Sequence, residues 1–405
     1  MLEYYHMVII TDENKIHEIL TRGTEEIFVR EELEKKLKSG KQLRIKFGID
    51  PTGPKIHIGR AVPLRKLRAF QNLGHQIVLI IGDFTARVGD ASDKDGKRPI
   101  LTTEQIEANL LDYKQQIGKI INLETVEFRY NSEWLGKLDF NDIAGLADHF
   151  SVQQMLRRRN FSDRIDRGDE ISLREFLYPL MQGYDSVAIN ADVEIGGFDQ
   201  LFNLQAGRIL QKAHQMPEQD IMTLQMVEGT DGRKMSTSWG NIITIVDEAH
   251  DMYGKIMSVR DDLIGKYFLL CTDVSQEEIL DMEIGMQNGE NPMQYKKRLA
   301  REIVTIYHNE TEAASAQENW EKTFSEGGLP DDIPEIAAKQ GDLLMDVVAL
   351  AELVSSKAEF RRLVDEGAVK IMHDSGEQKI EDQKYAITET IVVKIGKRKF
   401  AKILV

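Results

Sequence analysis

The stretch from Gly48 to Arg60, GIDPTGPKIHIGR, sets a carboxylate, a hydroxyl, an imidazole and a guanidinium among turn-forming glycines and prolines. It falls where an alternating segment ends and a helical pattern begins. In an open parallel sheet that junction is where ligands bind, and a helix start offers unpaired N–H groups and a positive dipole to phosphate. Thr52 and His57 supply donors for phosphate oxygens, and Gly59 lets a nucleotide ring lie against the backbone. Residue by residue, the string reads equally well as a turn and a capped helix. It is neither a Walker loop nor a G-x-G-x-x-G motif. A second string, GRKMSTS from Gly232 to Ser238, joins cations to three hydroxyls. Such a loop can close over a pyrophosphate and stabilise charge as phosphorus is attacked. A third group lies in YPLMQGYD, where Tyr178, Gln182 and Asp185 recur at i, i+4 and i+7 on one helix face. Taken alone, that stripe reads more readily as an exposed polar face than as a binding surface.

The elements that must position these groups follow from periodicity. Leu43, Ile45, Phe47 and Ile49 alternate with Arg44, Lys46, Gly48 and Asp50, which predicts a strand whose other face carries Lys46 and Asp50. Ile58, Val62, Ala69 and Leu73 predict a helix, and the continuously apolar run Ile77 to Ile81 predicts a strand buried on both faces. Strand, crossover helix and strand make a parallel unit. A helix from about Thr102, capped by Thr102 and Gln105, precedes a strand near Val126 to Tyr130. Ser172 and Glu175 form a second capping box ahead of the Tyr178 stripe. Further strands are expected at Val187 to Ile195 and Thr223 to Val227, giving a doubly wound α/β domain to about residue 240. The first forty residues read as amphipathic helices. From Asp247 to about Ser325 the pattern is helical, and Gly327 to Asp332, GGLPDD, reads as a linker. From about Asp342 two helical segments lead into alternation through Ile391, Val393, Ile395, Phe400 and Ile403.

Composition narrows the class. The chain has 405 residues, enough for two to three domains at about 150 each. Hydrophobic residues at 41 % and charged residues at 29 % fit a globular protein, and the single cysteine, Cys271, excludes a disulfide scaffold. No apolar run approaches a membrane span, and Met1 to Thr11 lacks the pattern of a secretory signal, so a cytoplasmic protein is expected. A net charge of -15 argues against indiscriminate coating of nucleic acid. Residues 357–405 nevertheless hold 11 Lys and Arg against 8 Asp and Glu, with basic groups at Arg361, Arg362, Lys397, Arg398, Lys399 and Lys402.

The first two strings together resemble the His-Ile-Gly-His and Lys-Met-Ser-Lys-Ser signatures of class I aminoacyl-tRNA synthetases. The Tyr178 to Asp185 string resembles the tyrosine-binding helix of bacterial-type tyrosyl-tRNA synthetases, as do GDFTARVGD from Gly82 to Asp90 and DVEIGGFDQ from Asp192 to Gln200. SSKAEFRRLVDEGAV from Ser355 and GKRKF from Gly396 resemble a small RNA-binding module that ends those enzymes. The resemblance implies a Rossmann-like catalytic domain over 1–240 with a dimerisation region at about 110–160. It further implies an α-helical anticodon-binding domain over 241–328, a linker over 329–341 and an α+β RNA-binding module over 342–405. It implies a tyrosine–tRNA ligase. L-tyrosine and ATP, with Mg2+ carried by the ATP and no fixed protein metal site, give tyrosyl-adenylate, and the tyrosyl group passes to the 3′-terminal adenosine of tRNA(Tyr). A homodimer with no membrane or DNA partner is expected.

Carried over by motif, Asp90, Tyr178 and Gln182 would hold the α-ammonium and Asp185 the phenol, with Lys46 and Gln200 also on the tyrosine side. Thr52, His57, Lys94, Arg98, Lys234 and Thr237 would act at the pyrophosphate. Asp50, Gly59, Arg60, Gly197, Asp199, Met235 and Ser236 would complete the ATP site, and Arg361, Arg362, Lys397, Arg398 and Lys399 would meet tRNA. Departures from the family pattern stand at Arg60, Thr237 and Phe198, at Ala91 in the turn from Gly89 to Ser92, and at Lys46, where many members place a tyrosine. They bear on rate and nucleotide affinity more than on the reaction. The alternatives are a tryptophanyl-tRNA synthetase, an RNA-binding protein that kept the fold without catalysis, and a small-molecule nucleotidyltransferase with a similar first signature.

Overall fold

Ile77 to Ile81 are buried throughout and pair in parallel with the alternating segment before them. In this computed structural model, which describes residues 8–50, 55–90, 102–235, 239–324, 333–351, 353–373, 376–396 and 399–405, the pair lies inside a six-stranded sheet. Its strands are β1 (Thr24–Phe28), β2 (Arg44–Ile49), β3 (Gln76–Ile81), β4 (Val126–Tyr130), β5 (Val193–Gly197) and β6 (Asp220–Leu224), in the order β1-β6-β5-β2-β3-β4. All neighbours are parallel except edge strand β1, which is antiparallel to β6. After β2 the chain winds outward through β3 and β4, then returns to β2's other side with β5. That reversal opens a crevice beyond the carboxyl ends of β2 and β5, the standard ligand position in such sheets.

Helices α1 (Glu13–Thr21), α2 (Arg30–Lys38), α3 (Ile58–Asn72) and α4 (Thr103–Ile117) precede β4. Between β4 and β5 run α5 (Ser132–Leu135), α6 (Phe140–Ala147), α7 (Val152–Leu156), α8 (Arg159–Arg167) and α9 (Leu173–Ile189), and α10 (Leu201–Ala213) leads to β6. Both expected capping boxes form, Thr102 with Gln105 and Ser172 with Glu175. Arg164 pairs with Glu175 at 2.5 Å, so the start of α9 is held from outside the helix as well. Val78 and Ile80 pack beneath α9 with Trp134, Leu135, Ile189 and Ala191.

Three expectations change. Thr24–Phe28 is a strand, not part of a helix, because pairing with β6 overrides the helix preference of its glutamates. Val187 to Ile189 continue α9, whose buried stripe ends at Asn190 in the left-handed region (φ 53), and β5 begins only at Val193. Strand β6 starts at Asp220, earlier than the expected Thr223.

The chain divides into two compact units, one running to Glu248 and including Lys255–Tyr307, the other Ala249–Gly254 and His308–Val405. After β6 come α11 (Ala249–Met257), α12 (Ile264–Cys271), α13 (Gln276–Gln287), α14 (Pro292–Tyr307) and α15 (Glu310–Phe324), the helical run anticipated. The second unit adds β7 (Glu335–Ala337), α16 (Leu344–Leu350), α17 (Lys357–Asp365), β8 (Val369–His373), β9 (Gly376–Lys379), β10 (Ile391–Ile395) and β11 (Lys399–Leu404). Its strands form a five-stranded sheet ordered β7-β11-β10-β8-β9 over a core that includes Leu344, Phe360, Val393 and Ile403. Strand β7 lies within the stretch read as a linker and pairs with β11, so the tail sheet reaches back to Glu335.

Candidate active site

A cavity of about 540 Å³ occupies the crevice beyond β2 and β5, lined by residues of the first signature, α9, β5 and the loop to Met235. Gly82 makes room for its wall: a Cβ there would lie 1.9 Å from Asp50 Oδ1. Asp50 accepts hydrogen bonds from Tyr178 Oη and Thr85 Oγ1, each at 2.8 Å. The Tyr178 proton is thereby committed, and its oxygen is left as an acceptor. Gln182 donates through Nε2 to Glu194 at 3.1 Å, which fixes its amide with Oε1 as the remaining acceptor. Asp90 is steered by Gln200, whose Nε2 donates to it at 2.7 Å while Asn203 donates to Gln200 Oε1 at 2.9 Å. Asp90, Tyr178 and Gln182 all line the cavity. Three acceptors, two with their own protons committed to Asp50 and Glu194 and the third steered by Gln200, match the three N–H groups of a primary ammonium.

Asp185 stands at the far end of the α9 stripe and is 3 % exposed. It accepts from Trp134 Nε1 at 2.8 Å and from Asn131 Nδ2 at 3.5 Å. Burial pushes its carboxyl up to about 7, against the opposing pull of the Lys46 ammonium and the Trp134 and Asn131 donors. Asn131 also donates to Thr85 at 3.0 Å, so hydrogen bonds run unbroken from Tyr178 through Asp50, Thr85 and Asn131 to Asp185. A buried carboxylate with room beside it is an acceptor for a hydroxyl, and a ligand lacking that hydroxyl leaves it unsatisfied.

The nucleotide side is cationic. His57 caps α3, its Nδ1 accepting from Arg60 N at 3.3 Å, which places the imidazole proton on Nε2. Burial, with the Arg60 and Lys234 charges beside it, pulls His57 down to about 4, so it is a neutral donor near pH 7. Lys234 is also lowered by burial and by Arg60, and its Nζ lies 3.5 Å from Asp199. Arg60 donates to Tyr113 Oη at 2.8 Å. A lysine whose charge is made costlier by burial and a neighbouring arginine suits a polyanion. Gly59 brings the two signatures together, since a Cβ on it would meet the His57 ring at 3.1 Å and Met235 Sδ at 3.2 Å. Asp231 pins the second loop by accepting from Asn241 Nδ2 at 2.8 Å and Arg233 N at 3.0 Å, and these bonds hold its carboxyl at about 2. The chain beyond that loop pairs with the first signature, with Ile58 N on Ile243 O and Ile245 N on Ile56 O, both at 2.9 Å.

Of the expected site residues, Asp50, His57, Gly59, Arg60, Asp90, Tyr178, Gln182, Asp185, Gly197, Asp199, Gln200, Lys234 and Met235 line this one cavity. Thr52, Lys94, Arg98, Ser236, Thr237, Lys397 and Arg398 lie outside the described residues. Lys46 does not line the cavity, contrary to its expected contact with the amino acid. It is fully buried, and its ammonium is taken up by Glu194, Ser186 and the Gln182 carbonyl. Sequence reasoning missed Thr85, Asn131, Trp134 and Glu194 as parts of the site. The first three follow the carboxyl ends of β3 and β4, the sheet edge where ligands bind, and that position was the available signal. In the second unit Arg361 and Arg362 are exposed on α17, and Lys399 donates to Leu353 O. Among the described residues no group of three or more His, Cys, Asp or Glu is arranged to hold a metal, and no helix is long and apolar enough to cross a membrane.

The family model for class I tRNA synthetases of the W and Y kind matches residues 38–325, and the chain belongs to that family. A tyrosine–tRNA ligase of Dehalococcoides mccartyi is 43 % identical over 96 % of this chain and 98 % of its own length. One of Thermotoga maritima is 44 % identical over 97 % and 98 %. Within the family, then, the chain falls among the tyrosine–tRNA ligases. Solved structures at lower identity share the fold. A C-terminally truncated mitochondrial tyrosyl-tRNA synthetase of Aspergillus nidulans (22 % identical, TM-score 0.63) covers 77 % of this chain and 95 % of its own. A tyrosyl-tRNA synthetase of Archaeoglobus fulgidus (20 % identical, TM-score 0.60) covers 76 % and 100 %.

Proposed function

We propose that this chain activates L-tyrosine with Mg-ATP and transfers the tyrosyl group to the 3′-terminal adenosine of tRNA(Tyr). The observation that carries it is a cavity with three oriented acceptors at one end, a buried carboxylate at the other and the neutral His57 donor with the Arg60 and Lys234 cations beside it. Asp90, Tyr178 and Gln182 take the α-ammonium, and Asp185 takes the phenol. The tyrosine carboxylate then attacks the α-phosphorus of ATP, and pyrophosphate leaves. No covalent enzyme intermediate is needed, so catalysis rests on positioning and on charge stabilisation. Neutral His57 donates to a phosphate oxygen, and Lys234 neutralises charge that builds on the leaving group. Thr52, Lys94, Arg98 and Thr237 join them at the pyrophosphate by family resemblance, with Ser236 at the ATP. The magnesium ion arrives with the nucleotide.

Tyrosine-dependent exchange of labelled pyrophosphate into ATP is the expected result for the purified protein. No exchange from folded protein would defeat the reading. Arg361, Arg362, Lys397, Arg398 and Lys399 are proposed to grip tRNA. Reversing charge at Arg361 and Arg362 together is expected to leave pyrophosphate exchange intact and weaken tRNA charging, with the salt dependence of tRNA binding flattened by about two units of slope. A cytoplasmic homodimer completes the proposal. Leu111, Phe140, Val152 and Leu173 are each more than half exposed on α4, α6, α7 and α9, in and beside the region expected to dimerise. Sedimentation at micromolar concentration should show the dimer, and a monomer alone would remove it.

A further inference from the structure

Between the sheet and α9, out of the cavity lining, lies an ion pair that the proposed chemistry does not use. Lys46 on β2 and Glu194 on β5 are register partners on adjacent parallel strands, so their side chains rise from the same face of the sheet. Both are fully buried, and Lys46 Nζ lies 2.9 Å from Glu194 Oε1. The pair is saturated. Lys46 spends its other two protons on Gln182 O and Ser186 Oγ, each at 2.7 Å. Glu194 Oε1 also accepts from Gln182 Nε2, and Oε2 accepts from Ser186 Oγ at 3.1 Å and from Gln219 Nε2.

Every hydrogen bond that the pair makes to a cavity-lining residue is made to Gln182. Lys46 holds its backbone carbonyl, and Glu194 holds its side-chain amide by the nitrogen. A glutamine amide can present either oxygen or nitrogen to a cavity, and only the oxygen serves a cation. With Nε2 captured by a carboxylate, the turned-over amide would put oxygen against oxygen. We infer that the buried Lys46–Glu194 pair is a positioning device for amino-acid recognition, locking Gln182 so that its Oε1 faces the α-ammonium, although neither residue touches the substrate. Replacing a saturated buried pair with apolar residues of similar size commonly leaves stability unchanged or higher, so stability alone does not account for it.

The inference rests on the tyrosine-site reading above, and calorimetric titration of the full-length protein separates the two. Tyramine keeps the phenol and the amine, whereas 3-(4-hydroxyphenyl)propanoate keeps the phenol and lacks the amine. In Lys46→Met/Glu194→Leu, which removes both charges and the acceptor for Gln182, tyramine binding is expected to weaken by about tenfold or more while the propanoate changes by less than about threefold. Lys46→Met/Glu194→Gln, which returns a carbonyl acceptor, should recover most of the tyramine affinity. Glu194→Asp keeps both charges, and hence the fold, but draws the carboxylate back by one methylene. It should show the same selective loss in smaller measure. The inference is overturned if the folded leucine or aspartate variant binds tyramine as the parent does, or loses both ligands alike. A parent protein that binds neither tyrosine nor tyramine would instead bring down the site reading itself.

Discussion

Asp185→Ala should lose most of its preference for tyrosine over phenylalanine while still activating both. The deletion removes a buried acceptor that phenylalanine leaves unsatisfied, and hydrogen bonds to charged groups are worth about 1.5–3 kcal/mol, so a loss of about 10- to 100-fold in the ratio of kcat/KM values is expected. Asp90→Ala should behave differently, weakening both amino acids because both carry the α-ammonium. Full retention of the preference by Asp185→Ala would mean that the hydroxyl is read elsewhere. The same carboxylate makes a second, opposite prediction about stability. Its pKa is near an ordinary carboxylate value when unfolded and about 7 when folded, so the folded state holds the proton more tightly. Below about pH 4 both states are protonated and burial of Asp185 costs little. As pH rises through 5 to 7 the folded state must bury the charge, and stability falls relative to a neutral side chain. Asp185→Asn should therefore match its parent in unfolding free energy near pH 4 and exceed it by on the order of a few kcal/mol above about pH 7. Denaturant titrations at the two pH values check this, and equal stability of the two proteins at pH 8 would overturn it.

The residues that face the ligand were legible because their chemistry sits in short, local strings. His57 and Gly59 follow a strand within a few residues, and Tyr178, Gln182 and Asp185 need only the helix period to share a face. Asp50 and Gln200 aside, the residues that orient them were not legible, because they are joined by strand order. Lys46 alternates with apolar neighbours on a strand, and that pattern alone cannot say whether it meets a ligand or a buried partner. The answer is its register with Glu194, which exists only once β5 lies beside β2. Asn131 and Trp134 reach Asp185 because β4 pairs with β3 and ends beside α9, a contact carried by no local periodicity. The edge strand β1 was hidden for a related reason. Thr24–Phe28 carries two glutamates and becomes a strand only by pairing with β6, far along the chain.

Lys234→Met is expected to slow tyrosyl-adenylate formation by about 100-fold or more at saturating substrates, the scale of removing one preorganised charge-stabilising group from a transition state. The lysine sits in a loop that Asp231 and Asn241 hold against the first signature, so its backbone is already in place. Its side chain is about half exposed, and the Asp199 carboxylate lies 3.5 Å from its Nζ. Burial and Arg60 together lower its pKa, which means that its charge is held at some cost until a phosphate arrives. That cost is relieved most when negative charge gathers on the departing pyrophosphate, so the effect should fall on kcat and leave tyrosine binding within about twofold of the parent. His57 is already neutral at pH 7 and titrates only near pH 4. Between pH 6 and 8 the residual activity of Lys234→Met should therefore carry no step from the imidazole. Rapid-quench measurement of adenylate formation, beside equilibrium titration with tyrosine, separates the two quantities. A Lys234→Met protein that loses tyrosine affinity and keeps its rate of adenylate formation would place the lysine at the amino acid and not at the pyrophosphate.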